Sequence, residues 1–171
     1  MTAEGPARAA ELAGFLGLAP HPEGGAYGEV FRSRRAVDPL DGRPQRPGLT
    51  SIDFLLAAGQ FSAWHRVASD EAWHLLEGGP LRLWLASPGL DRFDWVDLDR
   101  AGVLDSAQRA CKPRCIVPAG WWQAAEPTAA FAYVGATVGP GFDFADFTFG
   151  REDAALLQAL DKLEPVLRRL L

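Results

Sequence analysis

Two ionisable side chains in the middle of the chain are spaced so that they could do chemistry together. The segment Gly59–Gly78 reads G-Q-F-S-A-W-H-R-V-A-S-D-E-A-W-H-L-L-E-G. Within it, His65 and Val67 are two residues apart, so both side chains point to one face of a strand. A turn follows, and Glu71 opens the next strand, where it can approach the same point. Further along, P-A-G-W-W-Q turns tightly and brings Gln123 into another strand.

These residue types favour proton transfer over metal binding. Imidazole and carboxylate suit a transition metal, whereas valine cannot bind one and a neutral amide binds it feebly. We therefore favour no cofactor; a divalent transition metal, if present, would use His65, Glu71 and Gln123. The favoured alternative is a metal-free pocket in which His65 and Glu71 exchange protons with a ligand, because histidine titrates near neutrality and burial can raise a glutamate toward it. A third interpretation is that His65 and Glu71 only pair with each other and have no catalytic role.

Other side chains are expected to shape the wall of this pocket. Tyr27, Glu29 and Phe31 alternate along one strand and so share a face, with Tyr27 and Glu29 reaching inward. Trp73 is in phase with Glu71, and its ring could stack on a planar ligand. His74 is out of phase with both and should point to the other face.

The elements that must position these residues are mostly strands. Short apolar segments separated by Gly, Pro and Asp-rich turns predict a β-sandwich or barrel. The segments are 50–58, 61–67, 71–77, 80–86, 93–98, 114–117, 122–125 and 130–138. A short helix is predicted over 6–17 and another over 151–163, which Pro165 should end.

Length and charge limit the class of protein. The 171 residues suit a single domain, and the net charge of −5 argues against a nucleic-acid partner. No apolar run approaches the roughly 20 residues that span a membrane. The N-terminus lacks the basic region of a signal peptide, so the expected location is cytoplasmic.

Five ordered motifs extend the argument beyond single residues. They are H-P-E-G-G-A-Y at 21–27, T-S-I-D-F-L-L at 50–56, S-D-E-A-W-H at 69–74, V-P-A-G-W-W-Q-A-A at 117–125 and V-G-P-G-F-D-F-A-D-F at 138–147. Together they resemble the cupin superfamily, and within it the DUF985 (cupin_5) family. The resemblance implies a mostly β fold, a double-stranded β-helix or jelly-roll barrel with a short N-terminal helix and C-terminal helices. It implies a single domain over 1–171, with the barrel at about 27–149, a helical segment at 151–171, and a homodimer.

The same resemblance implies a metal site in typical members, with three histidines and one glutamate. Here the matching positions are His65, Val67, Glu71 and Gln123, so two of the four donors have been replaced. The chain also departs from the family pattern at Gly28, Asp53 and Arg114, where Arg, Tyr and Gln are usual. Asp53 either faces solvent or enters the pocket with Arg114 as its partner.

The expected function is small-molecule binding, with metal-independent acid–base catalysis of the epimerase, isomerase, dehydratase or cyclase type as the working hypothesis. In it, His65 and Glu71 are catalytic. The expected ligand-binding residues are Gln123, Trp73, Tyr27, Glu29, Asp53, Arg114 and Val67. The alternatives are a non-catalytic sensor or carrier and a metal-dependent cupin enzyme.

Overall fold

Thirteen strands and two α-helices form the described part of the molecule, residues 4–171 of a computed structural model. The helices are α1 (Glu4–Leu16) and α2 (Ala154–Leu163), and 3₁₀ turns cover Phe144–Asp146, Gly150–Glu152 and Pro165–Leu170. The strands are β1 (Ala19–Pro20), β2 (Ala26–Arg32), β3 (Ala36–Val37), β4 (Arg46–Pro47), β5 (Thr50–Ala57), β6 (Ser62–Val67), β7 (Asp70–Gly78), β8 (Leu81–Ala86), β9 (Phe93–Leu98), β10 (Arg114–Val117), β11 (Trp122–Pro127), β12 (Phe131–Gly139) and β13 (Phe147–Phe149).

The strands are arranged in two antiparallel sheets that face each other. The six-stranded sheet has the order β1-β2-β5-β12-β7-β10, and the five-stranded sheet has the order β13-β6-β11-β8-β9. β3 and β4 form a separate short pair. Consecutive strands repeatedly cross between the sheets, as β5 and β7 do around β6, which is the jelly-roll arrangement.

One end of the space between the sheets is filled by side chains. Because side chains alternate across a strand, every second residue of each sheet enters this core. Its fully buried members include Phe54, Leu56, Trp73, Leu81 and Leu83. Each such side chain contributes about 1.5–3 kcal/mol when it leaves water. The other end of the barrel is left open.

The helices cover the outer faces of the two sheets. Ala9 and Leu12 of α1 pack against Leu55 and Phe131 on the six-stranded sheet. Leucines of α2 and of the 3₁₀ turn after Pro165 pack on Trp64 and Trp122 of the five-stranded sheet. Asp153 caps α2 by accepting a hydrogen bond from the Leu156 amide at 2.9 Å.

The predicted fold class is confirmed. All eight predicted strands are present within a few residues, and both predicted helices are found, with α2 ending before Pro165. Sequence patterns missed four short strands, β1, β3, β4 and β13, because two or three residues are too few to show alternation. The prediction for Phe31 was wrong: the register shifts between Glu29 and Phe31, so Phe31 leaves the face shared by Tyr27 and Glu29.

Candidate functional site

A cavity of about 200 Å³ lies at the open end of the barrel. Its walls are mainly apolar, and a group of ionisable side chains lies at its base. The lining residues that matter for the chemistry are His21, Glu23, His65, Val67, Glu71 and Phe147. A pocket with apolar walls and a few convergent polar groups is typical of a small-molecule site.

Gln123 joins the two predicted catalytic residues. It pairs with His65 across β6 and β11, and its amide nitrogen lies 3.0 Å from His65 Nε2 and 2.6 Å from Glu71 Oε2. The indole N–H of Trp73 donates to Gln123 Oε1 at 3.0 Å. Since an indole can only donate, this bond fixes the amide with its oxygen toward Trp73 and its NH₂ toward His65 and Glu71.

The fixed amide selects one tautomer of His65. A donated N–H needs a lone pair on His65 Nε2, so the imidazole proton belongs on Nδ1. There, Nδ1 lies 2.7 Å from the Ala63 carbonyl oxygen and 2.7 Å from Glu23 Oε2. Both ring nitrogens are therefore engaged, and His65 is almost wholly buried.

Glu23 was missed by the sequence analysis. It lies in the turn His21–Gly25, whose two glycines have positive φ and bend the chain back over the barrel mouth. A Cβ at Gly24 would collide with the Phe61 carbonyl oxygen, and the Ala63 amide donates to the Glu23 carbonyl at 2.8 Å. The turn is thus held against the start of β6. His21 Nδ1 lies 3.3 Å from Glu23 Oε1. The available signal was a carboxylate between a histidine and two glycines.

Burial has a clear effect on the pKa of Glu71. Loss of solvent raises its pKa to about 7, and the Glu23 carboxylate adds to this rise, while His65 and Gln123 oppose it. Gln123 holds Oε2. Oε1 accepts no hydrogen bond within residues 4–171, and it is not among the fully buried, unpartnered atoms, so it is open to the cavity.

His65 and Glu23 form a coupled pair. Burial lowers the pKa of His65, but the carboxylates of Glu23 and Glu71 outweigh burial and raise it to about 9. The Gln123 amide counteracts this rise, because its NH₂ faces Nε2 and pairs only with the unprotonated nitrogen. Burial raises the pKa of Glu23, and His65 and His21 more than offset it, so the net shift is downward.

A metal ion does not fit this donor set as it is arranged. Val67 is buried at the base without a donor atom, and Gln123 directs its NH₂, not its oxygen, between His65 and Glu71. Within the described residues, no three His, Cys, Asp or Glu side chains are grouped to hold a metal. The amide nitrogen instead bridges the two remaining donors by hydrogen bonds.

The structure places the other predicted site residues differently from one another. Tyr27 and Glu29 line the cavity, and Glu29 pairs with Arg32 at 2.6 Å on its rim. Gln123, expected to contact the ligand, is almost wholly buried and does not line the cavity, and Trp73 lies behind it in the core. Asp53 and Arg114 were wrong as pocket residues: they lie on the outer face of the six-stranded sheet, where Asp53 accepts a hydrogen bond from the Tyr133 hydroxyl at 2.8 Å.

An aromatic segment closes one side of the cavity. Phe142, Phe144 and Phe147 pack edge to face, and the Phe147 ring stacks on His65 with centroids 5.2 Å apart. Arg32 donates to the Phe142 carbonyl at 3.2 Å, which ties this segment to β2. The sequence analysis did not assign these residues to the site.

The fold and the placement of these side chains define a cupin barrel. The Cupin_5 family, described as Cupin superfamily (DUF985), matches residues 10–150, and the chain belongs to this family. No helix among residues 4–171 is long and apolar enough to cross a membrane.

Solved structures agree with this assignment. A hypothetical protein from Leishmania major is 29% identical with a TM-score of 0.79, covering 99% of this chain and 98% of that one. A protein from Shewanella oneidensis is 33% identical with a TM-score of 0.77, covering 94% of each chain. Oxalate decarboxylase from Bacillus subtilis, at 16% identity and a TM-score of 0.54 over 76% of this chain and 29% of that one, shares the fold alone. None of the curated proteins matches the chain.

Proposed function

We propose that the cavity binds a small metabolite and that Glu71 exchanges a proton with it without a metal ion. One observation carries this proposal: Glu71 has a pKa raised to about 7, with Oε2 held by Gln123 and Oε1 open to the cavity. A carboxyl group that titrates near neutrality is suited to both halves of general acid–base catalysis.

In this mechanism the ionised Glu71 takes a proton from the ligand through Oε1 and later returns it to a neighbouring atom. This step is common to epimerisation, isomerisation, dehydration and the related cyclisations. Gln123 holds Glu71 in place through Oε2, so the open oxygen has a fixed direction. Fixed direction matters because proton transfer needs hydrogen-bond distance between heavy atoms.

His65 lines the cavity beside Glu71, and the Gln123 amide lies behind both. Its Nε2 is 3.0 Å from the Gln123 nitrogen, and its Nδ1 faces Glu23, so both ring nitrogens are already engaged within the protein. Its role is to accept the Gln123 N–H at Nε2 and so to hold the amide that fixes Glu71. His65 is therefore a positioning residue, and Glu71 is the group that touches the ligand.

The cavity size and walls indicate the class of ligand. About 200 Å³ accommodates a compact molecule, and Ile52, Val138 and Phe147 offer apolar contact. A small, uncharged or singly charged carbonyl compound with one flat face fits these walls and presents an acidic C–H to Glu71.

The experiment is deuterium wash-in followed by proton NMR. Chelator-treated protein in D₂O is incubated with small aldoses, ketoses, uronic acids and aryl keto acids. We expect one class to bind and lose the signal of a C–H next to its carbonyl group. Glu71→Gln should slow this loss at least ~100-fold while changing affinity only a few-fold. Glu152→Gln, at an exposed carboxylate that does not line the cavity, is the matched control.

A sensor or carrier is the second candidate, and a specific observation favours it. Both nitrogens of His65 and one oxygen of Glu71 already form hydrogen bonds within the protein. A hydrogen-bond network with a purely structural role has the same arrangement. Compounds that bind tightly but exchange no proton would replace the enzyme proposal with this one. Activity that vanishes on chelation and returns with Mn²⁺, Ni²⁺ or Zn²⁺ would instead establish a metal-dependent cupin enzyme.

A further inference from the structure

A chain of polar side chains links Glu71 to His21 around the cavity. The Gln123 amide nitrogen joins Glu71 to His65. Beyond His65, the Glu23 carboxylate lies between two imidazole rings. Its Oε2 is 2.7 Å from His65 Nδ1, and its Oε1 is 3.3 Å from His21 Nδ1. Glu71 and His21 are therefore the two ends of one polar network, and both line the cavity.

Each end of this network leaves one atom accessible to a ligand. Glu71 Oε1 accepts no hydrogen bond within residues 4–171 and faces the cavity. His21 Nε2 likewise forms no hydrogen bond among those residues. It is not one of the fully buried atoms without a partner, so it is accessible from the cavity that His21 lines. The members between the two ends are engaged with one another and with the Ala63 carbonyl.

The turn that follows His21 sets the position of the proton on its ring. The backbone N–H of Glu23 donates to His21 Nδ1 at 3.3 Å. A neutral imidazole carries one proton, so an acceptor at Nδ1 places that proton on Nε2. Burial lowers the pKa of His21, and the Glu23 carboxylate opposes this only in part, so the ring is neutral near neutral pH. The accessible end of His21 is therefore a hydrogen-bond donor.

Packing fixes the direction of this donor. The His21 ring meets Tyr27 edge to face with centroids 4.5 Å apart, and it meets Phe54 in the same way at 5.6 Å. The Gly24 amide donates to the His21 carbonyl at 3.0 Å, and the His21 amide donates to the Gly25 carbonyl at 3.1 Å. Ring and backbone are thus held in place before a ligand arrives, as a preorganised donor requires.

Proton removal by Glu71 creates a charge that Glu71 cannot stabilise. When a C–H next to a carbonyl group loses its proton, the C–H electron pair forms a new C=C bond and the carbonyl π pair moves to the oxygen. The charge that develops on this oxygen needs a hydrogen-bond donor that already points at it. A site that enolises a carbonyl compound must therefore supply a donor as well as a base.

Two donors of the cavity wall have no partner within residues 4–171, namely His21 Nε2 and the Tyr27 hydroxyl. The nitrogens of Arg32, the Thr50 hydroxyl and both ring nitrogens of His65 are already engaged. The backbone N–H at His21 Nδ1 draws electron density from the ring and makes Nε2–H a stronger donor, and a neutral imidazole held in this way can polarise a carbonyl group. This favours His21 over Tyr27.

We propose that His21 is a second catalytic residue: its Nε2–H binds the carbonyl oxygen of the ligand while Glu71 Oε1 removes the proton from the adjacent carbon. This inference rests on the proposed function and narrows its ligand to an enolisable aldehyde, ketone or 2-oxo acid. The electrons stay on the ligand throughout, and the proton moves to Glu71 and back to carbon. The hydrogen bond from His21 strengthens as the oxygen gains charge.

The first test is deuterium wash-in with glyceraldehyde, dihydroxyacetone and phenylpyruvate, followed by proton NMR. His21→Phe keeps a ring between Tyr27 and Phe54 and removes the donor. It should slow loss of the C–H signal at least ~100-fold while the Kd changes less than ~10-fold. His21→Gln, which can place an N–H near the position of Nε2, should recover at least ~10-fold of this loss. His74→Gln, on the outer face of the sheet, is the matched control and should match the wild type.

The outcomes separate this inference from the proposed function. Exchange that is unchanged in His21→Phe would overturn the inference and leave the proposed function standing. Exchange that is lost in Tyr27→Phe and kept in His21→Phe would assign the donor to Tyr27 instead. A wild-type protein that exchanges none of the three probes would overturn both proposals.

A second test needs no ligand and no variant. Long-range ¹H–¹⁵N NMR of the wild-type imidazoles reports which ring nitrogen carries the proton. We expect His21 to be neutral near neutral pH with its proton on Nε2. A proton on Nδ1 would overturn the inference whatever the exchange rates, because Nε2 would then have nothing to donate. This measurement decides the question even if His21→Phe fails to fold by far-UV circular dichroism.

Discussion

The two faces of the six-stranded sheet are built from alternating residues of the same strands, yet they support different chemistry. In β7, Glu71 and Trp73 point into the barrel and His74 points out. Inside, loss of solvent changes the ionisation of a carboxyl group and ties it to an amide. Outside, the ionisable groups stay near water, and Asp53 accepts a hydrogen bond from Tyr133. One residue along a strand therefore separates a buried, desolvated carboxyl group from side chains that remain close to water.

The largest expected difference between the faces is in stability. Trp73→Ala should lower the free energy of unfolding by about 3–5 kcal/mol, because it empties a fully buried site and leaves Gln123 Oε1 without its donor. Ile116→Ala, on the outer face, should cost less than about 0.5 kcal/mol. Urea denaturation measures both. Similar losses for the two variants would contradict the contrast drawn between the faces.

The pH dependence of stability comes next. The pKa of Glu71 is raised above its unfolded value, so the folded state holds this proton more tightly. Its contribution is fully present below about pH 4.5 and is lost as pH rises through about 7, an effect of about 3 kcal/mol. Glu71→Gln should lack this slope, so the difference in free energy of unfolding between variant and wild type should change with pH by about 3 kcal/mol, as measured by denaturation at several pH values. A difference that does not change with pH would show that Glu71 is not desolvated.

Breaking the buried pair should have a somewhat smaller effect. Glu23→Gln removes the carboxylate beside His65 Nδ1, which should cost about 2 kcal/mol and lower the pKa of His65 from about 9 toward neutrality. Proton NMR of the imidazole follows the titration directly. The control is Glu29→Gln at the cavity rim, where the exposed pair with Arg32 should contribute under about 1 kcal/mol. An unchanged His65 titration in Glu23→Gln would refute the assigned coupling.

The smallest effect is expected at the outer-face hydrogen bond. Tyr133→Phe should cost about 1 kcal/mol, the usual contribution of one hydrogen bond, and should leave the titration of Glu71 and His65 unchanged. Combined denaturation and NMR titration test both statements. A shift in the titration of Glu71 or His65 would mean that the two faces of the sheet are coupled and that the contrast between them is incomplete.

Much of the site could be predicted because it depends on short-range pattern. His65 and Val67 share a face by alternation, and Glu71 follows them after a tight turn. Gln123 was found through the matching turn before β11. Glu23 could not be found in this way, because its approach to His65 depends on how the His21–Gly25 turn packs against β6. The sequence left open whether Asp53 and Arg114 face the cavity, since alternation assigns residues to the two faces of a sheet without showing which face is inside.

The sequence by itself determined which segments of the chain form strands, the family, and the loss of two metal donors at Val67 and Gln123. These follow from residue identity and from the period of two in a strand. Only the tertiary structure decided that the Gln123 amide, oriented by Trp73, bridges His65 and Glu71, and that Glu23 completes the group. The reason is physical: the ionisation of a buried carboxyl group depends on the solvent it loses and the charges it meets, and both are set by residues distant in the chain.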